Sequence, residues 1–290
     1  MKKHFFLLLL ICLYQKAQSQ LLTDSILIEG HYRTFLFDKP ANTHSKKSLV
    51  FVLHGSGGSG VQIMTGAKKL AAIAESENIL MVYPDGYLHF WNECRKASTA
   101  IANKENINEE AFFNSMIQYF KKNYEINAHQ VFAIGTSGGG HMAYKLALTM
   151  PTKMKAITAI IANLPDAKNM DCLASGTAIP VMIINGTNDP VNPYNGGEVR
   201  IPGTFLGTVL STDETFHYWA ELAGYKGDPI KELLPDTDPN DGKTIESYLY
   251  QQKGKPEIKL LKVIGGKHDY PNDIDVYLEA WKFMKRQITN

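Results

Sequence analysis

The chain has 290 residues, 44% of them hydrophobic and 20% charged, with a formal net charge of +1. That length holds one large α/β domain or two small ones, and the composition is that of a globular protein with a sizeable core. The balanced charge, without a basic run, gives no footing for nucleic acid or an anionic membrane surface, and neither is expected as a partner.

Residues 1–19 read as a secretory signal peptide. Lys2 and Lys3 form a charged start, residues 5–13 are an unbroken apolar stretch, and Ala17 and Ser19 are small residues at the −3 and −1 positions of a cleavage site. The apolar stretch is short for a bilayer span. Cys12 lies inside it after bulky Ile11, which makes a poor lipoprotein site. The mature chain is therefore expected to start at Gln20 and to be secreted or periplasmic. Without Lys2, Lys3 and Lys16 it carries 27 basic and 29 acidic residues. Cys94 and Cys172 remain, and an even pair in an oxidising compartment points to one disulfide, with two buried free thiols as the alternative. No Cys/His spacing of a zinc site is present, so no metal is expected.

Residues 25–37 predict a hairpin turning at Glu29-Gly30. After a polar loop at 40–47, the apolar run 48–53 predicts a buried strand entering His54-Gly55-Ser56-Gly57-Gly58-Ser59-Gly60. That glycine-rich loop lacks the Gly-Lys-Ser/Thr ending of a phosphate loop. Its backbone N–H groups suit half of an oxyanion hole, with His54 as a structural hydrogen-bonding residue. Residues 67–75 predict a helix and 79–83 a strand. Pro84-Asp85-Gly86 predicts a turn, and Trp91-Asn92 share a loop with Cys94. Phe112, Phe113, Met116, Ile117 and Phe120 give 108–124 a helical period, and such a stripe is core rather than a cofactor site. Further strands are predicted at 131–134, 155–161, 180–184, 245–250 and 258–264. Helices are predicted at 141–148, 212–223 and 274–288, with an acidic turn region at 235–242. No repeat or linker divides residues 20–290, which are expected to form a single domain. Strands alternating with helices from Ser48 onward predict a mostly parallel sheet covered on both faces.

Such sheets carry their active groups on loops at the carboxyl ends of the strands. The predicted strand ends offer the 54–60 loop, Ser137, Asp189 and His268. Ser137 lies in Gly135-x-Ser137-x-Gly139 between a strand and a helix, the pattern of a nucleophile elbow. The glycines admit a reversal too sharp for side chains, which pushes the serine Oγ outward. Ser, Asp, His is the chain order of the α/β-hydrolase triad. Asp269 is a rival acid, but adjacent side chains diverge, so Asp189 ranks above it. The N–H of Gly138 and one near Ser56 are expected to receive an oxyanion. Trp91 reads equally as a substrate contact or a core aromatic.

These residues resemble a known family, the α/β-hydrolase esterases grouped with polyhydroxybutyrate depolymerases and feruloyl or acetylxylan esterases. The resemblance rests on residues 50–58, Tyr83-Pro84-Asp85-Gly86 with Trp91-Asn92, and Gly135-x-Ser137-x-Gly139. It continues through Asn185-Gly186-Thr187-Asn188-Asp189-Pro190 and Gly265-Gly266-x-His268-x-x-Pro271. It implies an α/β-hydrolase fold, a Ser137 nucleophile, an Asp189 acid, a His268 base, an active-site loop around Trp91 and Asn92, and no metal or organic cofactor. Gly138 stands where the family often has Asn, and Tyr270 where it often has another aromatic. Polymer depolymerases usually carry an additional polymer-binding domain, which is not visible here. Soluble esters, such as feruloyl or acetyl groups on plant polysaccharide fragments or short hydroxyalkanoate oligomers, are therefore the expected substrates. The alternatives are a serine peptidase on the same fold and a non-catalytic secreted carbohydrate-binding protein. The sequence does not indicate an oligomeric state.

Overall fold

The computed structural model describes residues 20–39 and 46–288. The expected leader and most of the polar loop after Lys39 lie outside the described residues.

Strands β1 (Gln20–Ile28) and β2 (His31–Lys39) pair antiparallel through Glu29-Gly30, whose φ values are 48° and 90°. Positive φ at both central residues matches the twist of a tight hairpin. The predicted hairpin is present but starts earlier, since residues 20–24 pair with residues 35–39. The period is blurred there because Leu21 and Leu27 are exposed while Asp24 is half-buried. Every residue of β3 (Ser48–Leu53) and β4 (Ile79–Pro84) is buried, which is why both read as unbroken apolar runs.

Between these strands lie α1 (Gly60–Gly66) and α2 (Lys68–Ile73). Only the second is legible in the sequence, because α1 begins inside the glycine-rich stretch. Next come α3 (Ile101–Lys104) and α4 (Glu109–Tyr124). The Asn108 side chain caps α4 by accepting from the Ala111 N–H. Glu109 and Glu110 in the first turn and Lys121 and Lys122 in the last complement the helix dipole.

The central run is β5 (Val131–Thr136), α5 (Gly138–Thr149), β6 (Ala156–Ile160) and β7 (Val181–Gly186). It is followed by a hairpin of β8 (Gly197–Ile201) and β9 (Thr204–Val209), then α6 (Thr212–Leu222) with a Ser211/Glu214 capping box. The chain closes with β10 (Ile230–Leu233), β11 (Thr244–Tyr250), β12 (Ile258–Ile264) and α7 (Val276–Arg286). The β8–β9 hairpin and β10 are additions to the predicted elements. β10 is exposed throughout and shows no apolar alternation.

Among the described residues the main sheet runs β1-β2-β4-β3-β5-β6-β7-β12-β11-β10. It is parallel from β4 to β12 and antiparallel at both ends. Side chains alternate across it. Leu49, Phe51 and Leu53 face a core built with α4, α5 and α6. Val50 and Val52 face a second core built with α1, α2 and α7. This is the two-faced α/β architecture that the alternating elements predict. Among the described residues no helix is long and apolar enough to cross a membrane.

Cys94 and Cys172 form the expected disulfide, with Cα atoms 5.0 Å apart across 78 residues of sequence. Constraining a loop of that length contributes up to ~4–5 kcal/mol in the chain-entropy account. The bond joins the loop after β4 to the segment before β7. The Asp171 N–H donates to the Cys94 carbonyl beside it at 2.9 Å.

Candidate active site

Ser137 joins β5 to α5 at φ 53°, ψ −117°, a conformation that costs a non-glycine residue roughly 1–3 kcal/mol and persists only where its surroundings dictate it. They do so here through close backbone contact. A Cβ on Gly135 would strike the backbone of Gly139, and one on Gly139 would strike the backbone of Leu53 at the end of β3. The Ser137 N–H donates to the Ile160 carbonyl at the end of β6 (2.8 Å), and the Ser137 carbonyl accepts from the His141 N–H (3.0 Å).

β7 and β12 are parallel neighbours, so the loops that follow them emerge side by side. The Asn188 N–H donates to the Gly266 carbonyl (2.8 Å), locking the two loops together. Asp189 and His268 meet as a result. His268 Nδ1 lies 2.7 Å from Asp189 Oδ2, and His268 Nε2 lies 3.0 Å from Ser137 Oγ. A carboxylate can only accept, so Nδ1 carries the ring proton, and Nε2 presents a lone pair to the serine hydroxyl. The second carboxylate oxygen, Oδ1, accepts from the Val191 and Asn192 N–H groups, each at 2.8 Å. The Asp189 side chain is 1% exposed and that of His268 22%. Asp189 is thus enclosed while His268 is partly exposed. Asp269 points elsewhere, its Oδ1 accepting from Lys243 Nζ (3.1 Å) and the Lys267 N–H (3.2 Å).

Ser56 and Gly138 also come together. A Cβ on Gly138 would lie 2.7 Å from the Ser56 nitrogen, and one on Gly55 would lie 3.4 Å from Ser137 Cβ. The first N–H of α5 has no partner within its own helix. The Ser56 backbone and Gly138 thus lie side by side next to Ser137, and a larger residue at 138 would force them apart.

Trp91 and Asn92 require a correction. Both are buried, at 2% and 7% exposure, which does not fit a direct substrate contact. The Trp91 indole N–H donates to the His54 carbonyl at 2.9 Å, and the two rings are 4.9 Å apart. Asn92 donates through Nδ2 to the Ile107 carbonyl (2.9 Å) and accepts at Oδ1 from Asn103 (3.1 Å). The Asn92 N–H donates to buried Glu109, which is also paired with Arg33 at 2.8 Å. Burial raises the Glu109 pKa, and Arg33 opposes that rise. Trp91 thereby holds the 54–60 loop from behind, and Asn92 anchors the loop after β4 to residues 103 and 107. The amide and the indole N–H each need a buried partner, and the loop's own scaffold supplies it.

The sequence predicts His54 as a structural hydrogen-bonding residue, and the rest of that support is not legible there. His54 donates from Nδ1 to the Gly55 carbonyl (2.7 Å) and accepts at Nε2 from the Gly86 N–H (2.9 Å), an arrangement that requires a neutral ring. Burial lowers its pKa, the Gly55 contact opposing. A turn at residues 87–90 holds Leu88 at φ 46° and His89 at φ 72°. It grips the loop twice, with the Gly57 N–H donating to the His89 carbonyl and His89 Nδ1 donating to the Gly58 carbonyl, both at 2.8 Å. Turns of this kind are flagged by glycine or asparagine, and neither stands at these two positions. Among the described residues, no group of three or more His, Cys, Asp or Glu is placed to hold a metal ion.

A mostly parallel sheet covered on both faces, with a strained serine between strand and helix and an acid and a histidine on later strand ends, defines an α/β-hydrolase. Residues 40–217 match the phospholipase/carboxylesterase family model, and the chain belongs to that family of carboxylic-ester hydrolases. It is similar to NocK of Nocardia uniformis subsp. tsuyamanensis, assigned as an esterase, with 24% identity over 81% of this chain and 68% of that protein. It is 28% identical to a feruloyl esterase C of Emericella nidulans over 54% of each chain, and so spans about half the length of that relative. In structure it resembles an acetyl xylan esterase from Aspergillus awamori, with a TM-score of 0.61 and 17% identity over 90% of this chain and 99% of that one. That likeness concerns the fold.

Proposed function

We propose that the protein is an exported serine carboxylesterase in which Ser137 is the nucleophile, His268 the general base and Asp189 the acid that orients it. The observation that carries this reading is the unbroken chain of contacts from Asp189 Oδ2 through His268 to Ser137 Oγ, at 2.7 and 3.0 Å. Oγ attacks an ester carbonyl as Nε2 takes its proton, and the enclosed Asp189 carboxylate stabilises the resulting imidazolium. The carbonyl oxygen becomes an oxyanion between the N–H groups of Ser56 and Gly138, each worth roughly 3 kcal/mol in comparable enzymes. His268 then protonates the leaving alcohol. Water activated by the same histidine releases the acyl group from Ser137. No step calls for a metal or cofactor. The leader-like start and the Cys94–Cys172 bond support an oxidising destination.

The substrates proposed are soluble esters, with feruloyl and acetyl groups on plant polysaccharide fragments foremost and short hydroxyalkanoate oligomers next. A side-by-side assay of acetyl, feruloyl and 3-hydroxybutyryl esters tests this, with a matched amide as control. Hydrolysis of one or more esters without the amide is expected. Preferential amide cleavage would make the protein a peptidase, and failure on every ester would make it a binding protein.

A further inference from the structure

A cluster of three hydroxyls lies beside the catalytic contacts without belonging to them. Thr136, the last residue of β5, directly precedes Ser137. Its Oγ1 is 2.9 Å from the Tyr270 hydroxyl and 3.4 Å from that of Tyr277. The two phenols are 2.9 Å apart. Thr136 and Tyr277 are buried, with Tyr270 partly so. Three hydroxyls can close a ring in which each donates once and accepts once, an arrangement that strengthens every member. Burial raises the Tyr277 pKa far above its ordinary value, so its proton stays available for donation.

The three residues come from three places: the strand that delivers the nucleophile, the loop that delivers the base two residues after His268, and α7. From the other side the same loop is held by Lys243 Nζ, which donates to the Tyr270 carbonyl at 3.2 Å and to Asp269. The His268 side chain touches only Asp189 and Ser137 through its ring nitrogens. Something else must set how far its backbone stands from β5, and Tyr270 spans that gap directly.

We infer that Tyr270 is a positioning residue, its hydroxyl tying the base loop to Thr136 so that His268 Nε2 stays within proton-transfer reach of Ser137. The inference rests on the triad proposed above. The hydroxyl contacts of the cluster run among its own members, so its loss is expected to act on the chemical step and leave binding alone. A small displacement of a catalytic base is costly because proton transfer needs both distance and direction.

The test compares Tyr270→Phe, Thr136→Val, the double variant and Thr136→Ser, using p-nitrophenyl acetate kinetics and the rate of labelling by a fluorophosphonate. Each of the first two is expected to lower kcat and the labelling rate about tenfold, with KM within about twofold. The double variant should be no slower than either single one, since both break the same unit. Thr136→Ser should retain the wild-type kcat. Unchanged kcat in folded Tyr270→Phe, with only a lower Tm, would reduce the cluster to a structural brace and overturn the inference. So would losses that multiply in the double variant. Should Tyr270→Phe fail to fold, the contrast between Thr136→Val and Thr136→Ser decides alone, equal rates counting against the inference. Wild-type protein that hydrolyses the ester but resists the fluorophosphonate would instead defeat the triad reading itself.

Discussion

Ser137 is held at a backbone conformation that its side chain disfavours, while Asp189 is held by every acceptor position it uses. The two differ in how they fail. Replacing Asp189 by Asn keeps the shape but puts an NH2 group or a poorer acceptor opposite His268 Nδ1, so the imidazole loses its orienting charge. Asp189→Asn should lower kcat by about 10⁴. Asp269→Asn should change it little, because the Asp269 carboxylate is spent on Lys243 and the Lys267 N–H. Steady-state kinetics of the two variants decide between the acids, and a crippled Asp269→Asn beside a mild Asp189→Asn would reverse the assignment. All three proposed triad members could be picked out in the sequence because each follows an apolar run, with Gly138, Pro190 or Gly265-Gly266 close by. Trp91 and Asn92 were not resolved there. An aromatic next to an amide has the same local pattern whether it faces a cleft or a scaffold, and only the partners of the indole N–H, the His54 carbonyl above all, distinguish the two.

The loop after β3 and the loop after β4 form a pair of elements that work together. The first carries Gly55 and Ser56 to Ser137; the second grips it through Gly86, His89 and Trp91. Trp91→Phe keeps most of the ring packing and removes only the N–H. The buried His54 carbonyl then loses a donor, at a cost of about 1–3 kcal/mol. Urea denaturation should register that loss, and acylation should slow as the oxyanion loop loosens. A variant as stable and as fast as the wild type would show that the contact is incidental. The strands of the central sheet were legible because burial on both faces leaves continuous apolar runs. The clamp was not, since it is made of backbone groups and of positive-φ residues, Leu88 and His89, whose side chains give no sign of the turn they occupy. β10 was lost for the opposite reason, being short and exposed, and the β8–β9 hairpin because Gly196, Gly197, Gly203 and Gly207 interrupt its apolar pattern.

Across the whole molecule, His54 and His141 are both buried and both have pKa values lowered below 6.5, chiefly by that burial. The unfolded chain would bind protons at these sites that the folded chain refuses. Their contribution to stability is therefore complete above about pH 6.5 and declines as pH falls from there toward each folded pKa, at up to about 1.4 kcal/mol per pH unit for each histidine. The urea midpoint should fall between about pH 7.5 and pH 5.5, whereas a flat midpoint would mean that water or a partner already accommodates the charged rings. The α/β alternation was evident from Ser48 onward, and the chain's family membership agrees with it. What the sequence could not supply was the distance between loops more than a hundred residues apart, such as Ser137 and His268. That distance carries the central claim. The most direct test is the intact mass of the protein after treatment with a fluorophosphonate, followed by peptide mapping. One phosphonyl group per chain, carried by Ser137 and absent in Ser137→Ala with its fold intact, is the predicted result. An adduct on a different serine, or hydrolysis that survives in Ser137→Ala, would contradict the account.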